Sequence, residues 1–414
     1  MNQYSKRRDS LFNQMQNNSI TVVFSGKSVM RSEDESYPFC VNRNFYYLTG
    51  VDAEEMVLIV SKINGKKHEY LFIPPYDELE ARWVGGRMTS QHVTGVSEIE
   101  DIEDVGDLDD FFASMFNHFR SLDGLCIYFD MWHYEIDQEE TLAIAYCNKL
   151  KYKYPTIIFK DLYPMLTAMR EVKDEYEIAC IRNAIHTTNV GILQMMKTIK
   201  PNMNEMVMEG VFDFVLRQSL CKENAFPTIA ASGKRATTLH YQDNNQTMLD
   251  NELFLCDLGA TCNHYCADIS RTFPVNGKFS ERQKEIYELV LGAQKIVEEN
   301  AKAGTTLRKL NQLVIDYYKA ELPKHNLTKD VSEYYFHSVS HHLGLDTHDV
   351  SFGADNELKP GNVITNEPGL YIADEGIGIR IEDDLLIRQD GCEVLSREIM
   401  KNIVDIENNM VGQH

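Results

Sequence analysis

Apolar and polar positions change period along this chain. In the first 160 residues, four short runs, TVVFS, MVLIVSK, HEYLFIP and LCIYFDM, are rich in β-branched and aromatic side chains and read as strands. Asn64-Gly65 lies between two of them and supplies the positive φ angles of a tight turn, so MVLIVSK and HEYLFIP are expected to pair antiparallel. LDDFFASMFNHFR and EETLAIAYCNKLKYKY have the spacing of amphipathic helices. Residues 1–165 therefore read as one α/β domain.

Periodicity fades through KDLYPMLTAMREVKD, which puts a boundary near Lys160 to Arg170. Beyond it, Asp174 and Glu177 form a capping-box pattern, and Ile178, Ile181, Ile185, Ile192, Met196 and Ile199 recur at helical spacing until Pro201. NEMVMEGVFDFVLRQSL is a second helix, followed by strands in ELFLCDLGA and ADISRTFPV. The order then repeats. Ser280 with Gln283 opens a helix expected to reach Gly304, TLRKLNQLVIDYYKAEL supplies its partner, and NVITNEPGLYI and GIGIRIEDDLLI supply strands. Residues 166–414 thus read as an internally duplicated α+β domain, its strand pairs joined in one sheet with helices outside, although no residue-level repeat is visible.

Length agrees with two domains, since 414 residues exceed what one hydrophobic core usually serves. Apolar residues at 43% and charged residues at 25% belong to an ordinary globular protein, so charge is the informative quantity. With 63 acidic against 41 basic side chains, the net charge of -22 repels nucleic acid and anionic lipid, and neither is expected as a partner. The basic N-terminus is followed by no apolar signal region, and no run of about 18 apolar residues occurs, so a soluble cytoplasmic protein is expected. Nine cysteines without CxxC pairs suggest neither a disulfide framework nor a thiolate zinc site. Cys256, Cys262 and Cys266 are expected as packed free thiols.

Carboxylates carry the chemistry. A hairpin centred between Cys262 and Asn263 would set Asp257 opposite Asp268, and one centred between Asp374 and Glu375 would set Glu367 opposite Glu382. Opposed side chains share a face with Cβ atoms roughly 5 Å apart, where like charges destabilise the sheet unless a cation lies between them. The segment HSVSHHLGLDTHD adds histidines between the two hairpins. Carboxylate oxygens with one or two imidazoles suit Mn²⁺ or Fe²⁺, and less often Zn²⁺ or Co²⁺.

DLGA, ADISRTFPVNGKF, HSVSHHLGLDTHDV, EPGLYIA and GIGIRIEDD resemble, in that order, the metal-binding segments of the Xaa-Pro aminopeptidases, members of the pita-bread metallopeptidase group. FCVNRNFYYLTGVDAEEMVLIV is similar to their creatinase-like N-terminal domain. The resemblance implies an α/β N-terminal domain before a pita-bread catalytic domain, with helices outside a curved antiparallel sheet. It also implies two divalent ions per subunit, Mn²⁺ foremost. Asp257, Asp268, His341, Glu367 and Glu382 match the metal ligands, with Asp268 and Glu382 bridging the ions, Asp257 completing one site, and His341 with Glu367 completing the other. His337, His348 and His240 match substrate-contacting histidines, and Arg380 an arginine that orients the site. Trp83 in ELEARWVGGR matches a tryptophan lining a neighbouring subunit's site, which implies a homodimer or homotetramer. His342 and His264 have no matching role and are expected to be structural and loop residues. The segment between Glu367 and Glu382 is shorter than in several relatives, which bears on pocket shape.

The expected reaction is hydrolysis of the bond before a proline at position two of a peptide. A water held by two divalent ions is acidified toward neutrality, so no serine or cysteine nucleophile is required. Glu367 is the candidate to accept its proton, and His348 and His240 are the candidates to stabilise the oxyanion. The competing expectations are a prolidase acting on Xaa-Pro dipeptides and a metal-free pita-bread binding protein. Methionine aminopeptidases need no N-terminal domain of this size, and creatinases do not require this ligand set.

Overall fold

The structure is a computed structural model and describes residues 1–119 and 124–410. The chain divides into two compact units, Met1–Met169 and Arg170–His414. The segment KDLYPMLTAMREVKD is not irregular: Tyr163–Glu171 is a helix. Thr167 and Arg170 are buried on it beside Leu166, so polar side chains occupy positions that a count of apolar residues passes over.

In the first unit, strands β1 (Ser19–Phe24), β2 (Val57–Ile63), β3 (Lys66–Ile73), β4 (Ile102–Asp104), β5 (Cys126–Phe129) and β6 (Ile158–Asp161) form one sheet in the order β4-β3-β2-β1-β5-β6. The pairs β1–β2 and β2–β3 are antiparallel, and β1–β5, β5–β6 and β3–β4 are parallel. Asn64 and Gly65 have φ of 50° and 76°, and Ile63 pairs with Lys66, which is the tight turn expected from the dipeptide. Helices Leu108–His118 and Leu142–Lys153 supply Phe112, Phe116 and Cys147 to a core with Ile20, Val22, Ile59 and Ile127. Each fully buried large apolar side chain there contributes about 2–3 kcal/mol relative to exposure. Arg120, the last residue of the expected LDDFFASMFNHFR helix, lies outside the described residues.

The second unit repeats helix, helix, strands. Helices Glu175–Thr198 and Glu281–Asn300 begin with complete capping boxes, Asp174 with Glu177 and Ser280 with Gln283. The latter helix stops at Asn300, short of Gly304, because Ala301 leaves helical geometry at φ -73° and ψ 109°. Their partners are Glu205–Gln218 and Leu307–Glu321. Strands β7 (Ile229–Ser232), β8 (Leu253–Leu258), β9 (Thr261–Cys262), β10 (Tyr265–Cys266) and β11 (Ile269–Pro274) follow the first helix pair. After the second come β12 (Val363–Asn366), β13 (Gly369–Ile372), β14 (Ile377–Arg380), β15 (Asp383–Ile387) and β16 (Cys392–Val394).

The single sheet expected from the sequence is resolved into antiparallel ladders β7-β8-β11, β9-β10, β12-β15-β16 and β13-β14. Between the halves, the Glu382 N–H donates to Ser270 O at 3.0 Å, and the Arg380 N–H donates to Thr272 Oγ1 at 3.2 Å. The strand edges join through these bonds where carboxylates interrupt regular pairing. Gln294, buried on Glu281–Asn300, donates to Asp383 Oδ2 at 3.0 Å and accepts from Asn366 Nδ2 at 3.0 Å, so the outer helix clamps the strands beside the carboxylates.

Candidate metal centre

Register decides which acids meet. In the first hairpin Asp257 faces Ser270 and Cys262 faces Tyr265. The turn is therefore Asn263-His264, with φ of 48° and 64°, and is centred one residue later than expected. This corrects the opposition of Asp257 and Asp268: the observed register sets Asp268 across from Gly259, where an added Cβ would lie 1.8 Å from Ala267 O. The reason is turn chemistry, because a two-residue turn of this kind needs two left-handed residues and Asn tolerates that region well. In the second hairpin Asn366 pairs with Asp383 and Gly369 with Arg380, which brackets Glu367 and Glu382 as opposed positions.

Asp268, His341 and Glu382 each offer a ligand atom within 4.8 Å of the others. His341 Nε2 lies 3.4 Å from Asp268 Oδ2 and 3.4 Å from Glu367 Oε1, and its Nδ1 lies 3.0 Å from His342 O. Arg380 Nη2 donates to Asp257 Oδ2 at 2.7 Å, and Asp257 Oδ1 is buried with no hydrogen-bond partner. Burial pushes the Asp268 carboxyl well above its ordinary range, reinforced by the charges of Asp257, Glu367 and Asp384. Burial does the same to Glu382, reinforced by Asp268, Glu367 and Asp257. Glu367 is raised chiefly by burial, against the pull of His341 and Arg380. Four crowded carboxylates and one imidazole, with an orphaned carboxylate oxygen, form a donor set that fits divalent cations.

Several polar groups hold this cluster. Ser270 Oγ donates to Glu382 Oε2 at 2.8 Å and accepts from Arg380 Nε at 2.8 Å. Thr365 Oγ1 accepts from the His341 N–H at 3.1 Å and donates to Glu367 Oε1 at 3.3 Å. Asp384 Oδ2 accepts from the Asp268 N–H at 3.3 Å. Arg380 Nη1 donates to Tyr371 Oη at 2.9 Å, and Tyr371 Oη lies 2.9 Å from His337 Nε2. His337 Nδ1 is 2.8 Å from Ser338 O, which fixes the tautomer: Nδ1–H donates to the carbonyl and Nε2 accepts from Tyr371. Burial, then the nearby Arg380 charge, pushes His337 down to about 3, so it is neutral.

The His341 and His348 rings are 4.3 Å apart at 71°. His348 is exposed overall, and partial desolvation of its ring, then the charges of His341 and His240, push it down. His240, exposed as well, also acts on His337. His342 is 5% exposed, bridges to Ile364 and has its Nδ1 without a partner, while His264 sits in the hairpin turn. Trp83 belongs to the first unit and is 84% exposed.

Ser270, Thr365 and Tyr371 have no assigned role in the sequence reading. A signal exists for the first two, since Ser270 is two residues from Asp268 and Thr365 two from Glu367, the spacing that returns a side chain to one strand face. Nothing in the sequence distinguishes the Tyr371 hydroxyl, whose role depends on Arg380 and His337 meeting it.

Residues 179–389 match metallopeptidase family M24, and residues 4–122 match the N-terminal domain of aminopeptidase P. A Haemophilus influenzae Xaa-Pro aminopeptidase is 33% identical over 99% of this chain and 97% of its own. A candidate aminopeptidase P from Bacillus anthracis superposes with a TM-score of 0.96 at 38% identity, covering 99% of this chain and 97% of that one. Zinc-substituted Escherichia coli aminopeptidase P in complex with product gives 0.90 at 31% identity, covering 100% and 98%. With its α/β N-terminal domain, its pita-bread second domain and its cluster of buried carboxylates, this chain belongs to metallopeptidase family M24, among the Xaa-Pro aminopeptidases.

Proposed function

We propose that this chain is a metal-dependent exopeptidase that hydrolyses the Xaa-Pro bond at peptide N-termini, with Asp257, Asp268, His341, Glu367 and Glu382 as ligands of two divalent ions. The observation that carries the reading is the convergence of Asp268, His341 and Glu382 within 4.8 Å, with Glu367 and Asp257 beside them. Mn²⁺ is the preferred ion because the donors are carboxylate oxygens with a single imidazole. When bound, such ions acidify a coordinated water toward neutrality and polarise the scissile carbonyl.

The chain's own groups supply the rest. Glu367, raised by burial and steadied by Thr365, accepts a proton and delivers it to the departing proline nitrogen. His348, against the His341 ring, and His240, whose charge acts on His348, are exposed donors that stabilise negative charge on the carbonyl oxygen. His337 has both ring nitrogens engaged, which favours positioning Tyr371 and Arg380 over direct contact with substrate. Arg380 holds Asp257 Oδ2 and leaves Oδ1 for a cation.

Proline needs a dedicated enzyme because an Xaa-Pro amide has no N–H and a fixed φ. The names of the relatives favour an aminopeptidase over a prolidase. A cytoplasmic location is part of the same reading, supported by nine free cysteines, and no helix among the described residues is long and apolar enough to cross a membrane. The deciding experiment measures kcat/KM with Mn²⁺ for matched Xaa-Pro-Yaa, Xaa-Ala-Yaa and Xaa-Pro peptides. The tripeptide containing proline should be preferred; preference for the dipeptide would make the protein a prolidase, and equal cleavage of the alanine peptide would remove the proline specificity.

A further inference from the structure

A carboxylate away from the metal cluster gathers the chain on both sides of His240. Glu205 opens helix Glu205–Gln218, and its side chain is fully buried. Its Oε1 accepts from the Ser232 N–H, the Ser232 hydroxyl and Arg235 Nε, each at 2.8 Å. Its Oε2 accepts from the Tyr241 hydroxyl at 2.8 Å and from the Gln246 N–H at 3.1 Å. Arg235 precedes His240 by five residues and Tyr241 follows it directly, so one carboxylate pins both ends of the loop that carries His240. We propose that Glu205 is a positioning residue, which fixes that loop, chiefly through Tyr241, so that His240 reaches the reacting carbonyl.

The surroundings leave the loop little other freedom. Asn244 is buried, donates to Thr228 O at 2.8 Å and to Glu209 Oε2 at 3.0 Å, and accepts from the Ala230 N–H at 2.9 Å. These bonds lay the return of the loop along β7 and the same helix. The Tyr241 ring packs on Ile229, Ala231, Ala236 and Leu255. Before His240, the 3-10 helix Gly233–Thr237 lies against β14, the strand that ends at Arg380: a Cβ added at Gly378 would be 2.1 Å from Ala236 O. His240 is exposed between these anchors, and its charge acts on both His337 and His348. All five groups that reach Glu205 are donors, so an amide in its place must turn its own N–H groups toward one side of the cluster. A buried carboxylate with five donors is a rigid support, whereas a loose loop gives up the alignment on which a donor to developing charge depends. The proposal rests on the reading of His240 as such a donor.

The test measures steady-state kinetics of the metal-loaded full chain for Tyr241→Phe, Glu205→Gln and His240→Ala, and for His240→Ala combined with each of the other two. Tyr241→Phe keeps the ring in its small core and loses one hydrogen bond, so it reports even where Glu205→Gln folds poorly. His240→Ala should lower kcat about 10²-fold. Tyr241→Phe and Glu205→Gln should each lower kcat about 10-fold, with KM and metal content little changed. Neither should lower kcat further in the His240→Ala background, since a residue that acts through His240 has nothing left there to align. In Glu205→Gln, hydrogen exchange should quicken across residues 235–246. Losses that multiply with that of His240→Ala would show general damage and overturn the proposal. Wild-type kcat in both Tyr241→Phe and Glu205→Gln, or unchanged exchange across residues 235–246, would overturn it as well. Wild-type kcat in His240→Ala would remove the role of His240 itself, and the proposal with it.

Discussion

Arg380 Nη2 lies 2.7 Å from Asp257 Oδ2, while Asp257 Oδ1 is buried and has no hydrogen-bond partner. The arginine takes one carboxylate oxygen and leaves the other free to face a cation. The same guanidinium reaches Tyr371 and Ser270, so three groups share one planar fork. Arg380→Lys keeps the charge but cannot hold all three bonds. We expect kcat to fall about 10²-fold with a smaller change in KM and with metal content retained by elemental analysis. Wild-type kcat in Arg380→Lys protein would show that the fork has no part in catalysis.

Ser270 joins Arg380 to Glu382 through one hydroxyl. Ser270→Ala removes that link, and metal affinity measured by competition with a chelator should weaken about 10–100-fold. Ser270→Thr, which keeps the hydroxyl, should retain more of the affinity than the alanine variant. Equal losses in the two variants would point to packing instead.

His348 lies against His341 but is exposed. His348→Ala should lower kcat about 10²-fold with the metal content of the wild type. Loss of one metal equivalent would exchange its role with that of His341.

Removal of the ions should destabilise the second unit, because Asp268, Glu367 and Glu382 are left buried with like charge around them. Dialysis against a chelator should abolish activity and lower the thermal midpoint, and Mn²⁺ should restore both. A midpoint that ignores metal would contradict the buried cluster as a cation site.

Asp349 accepts from Arg170 at 2.6 Å and from Lys173 at 2.8 Å, all three groups being buried. Burial pushes its carboxyl up, but Lys173 and Arg170 outweigh this and hold it at about 2. A depressed folded pKa means stability that is present above the ordinary value near 4 and is lost as pH falls toward about 2, amounting to about 2–3 kcal/mol. Asp349→Asn should cost about 3–5 kcal/mol near neutrality, because buried Lys173 loses its anionic acceptor and Arg170, which keeps Asp346, loses one of two. Denaturant unfolding at several pH values should show a flatter acid limb in the variant.

The exposed Trp83 bears on assembly. If a neighbouring subunit's site uses it, Trp83→Ala should lower kcat/KM while leaving unfolding free energy within about 0.5 kcal/mol, as expected of a surface position. Sedimentation of a monomer with full activity would remove that role.

Local rules settled much of this protein in advance. Asn64-Gly65 specified its hairpin because no other short turn accepts that pair as easily, and the Asp174 and Ser280 capping boxes marked helix starts because their bonds close within four residues. The alternation of helices and strands, and the acids of the second hairpin, were legible for the same reason: period and turn chemistry act over a few residues. Where a local signal was weak, the expectation slipped. Asn263-His264 advertises its turn poorly, and one residue of slip replaced the facing of Asp257 and Asp268 by Asp257 facing Ser270.

Only the tertiary structure decided how distant segments share one site. Arg380 bonds to Asp257 across 123 residues and to Ser270 across 110, and Ser270 reaches Glu382 across 112. No local propensity encodes such contacts, because they exist only after helix Glu281–Asn300 has clamped the strands and two hairpins have met edge to edge. The sequence by itself determined the residue types able to hold cations and the elements that carry them. Their orientation, the fixed tautomer of His337 and the orphaned oxygen of Asp257 arise from burial and long-range hydrogen bonding, which a linear pattern does not contain.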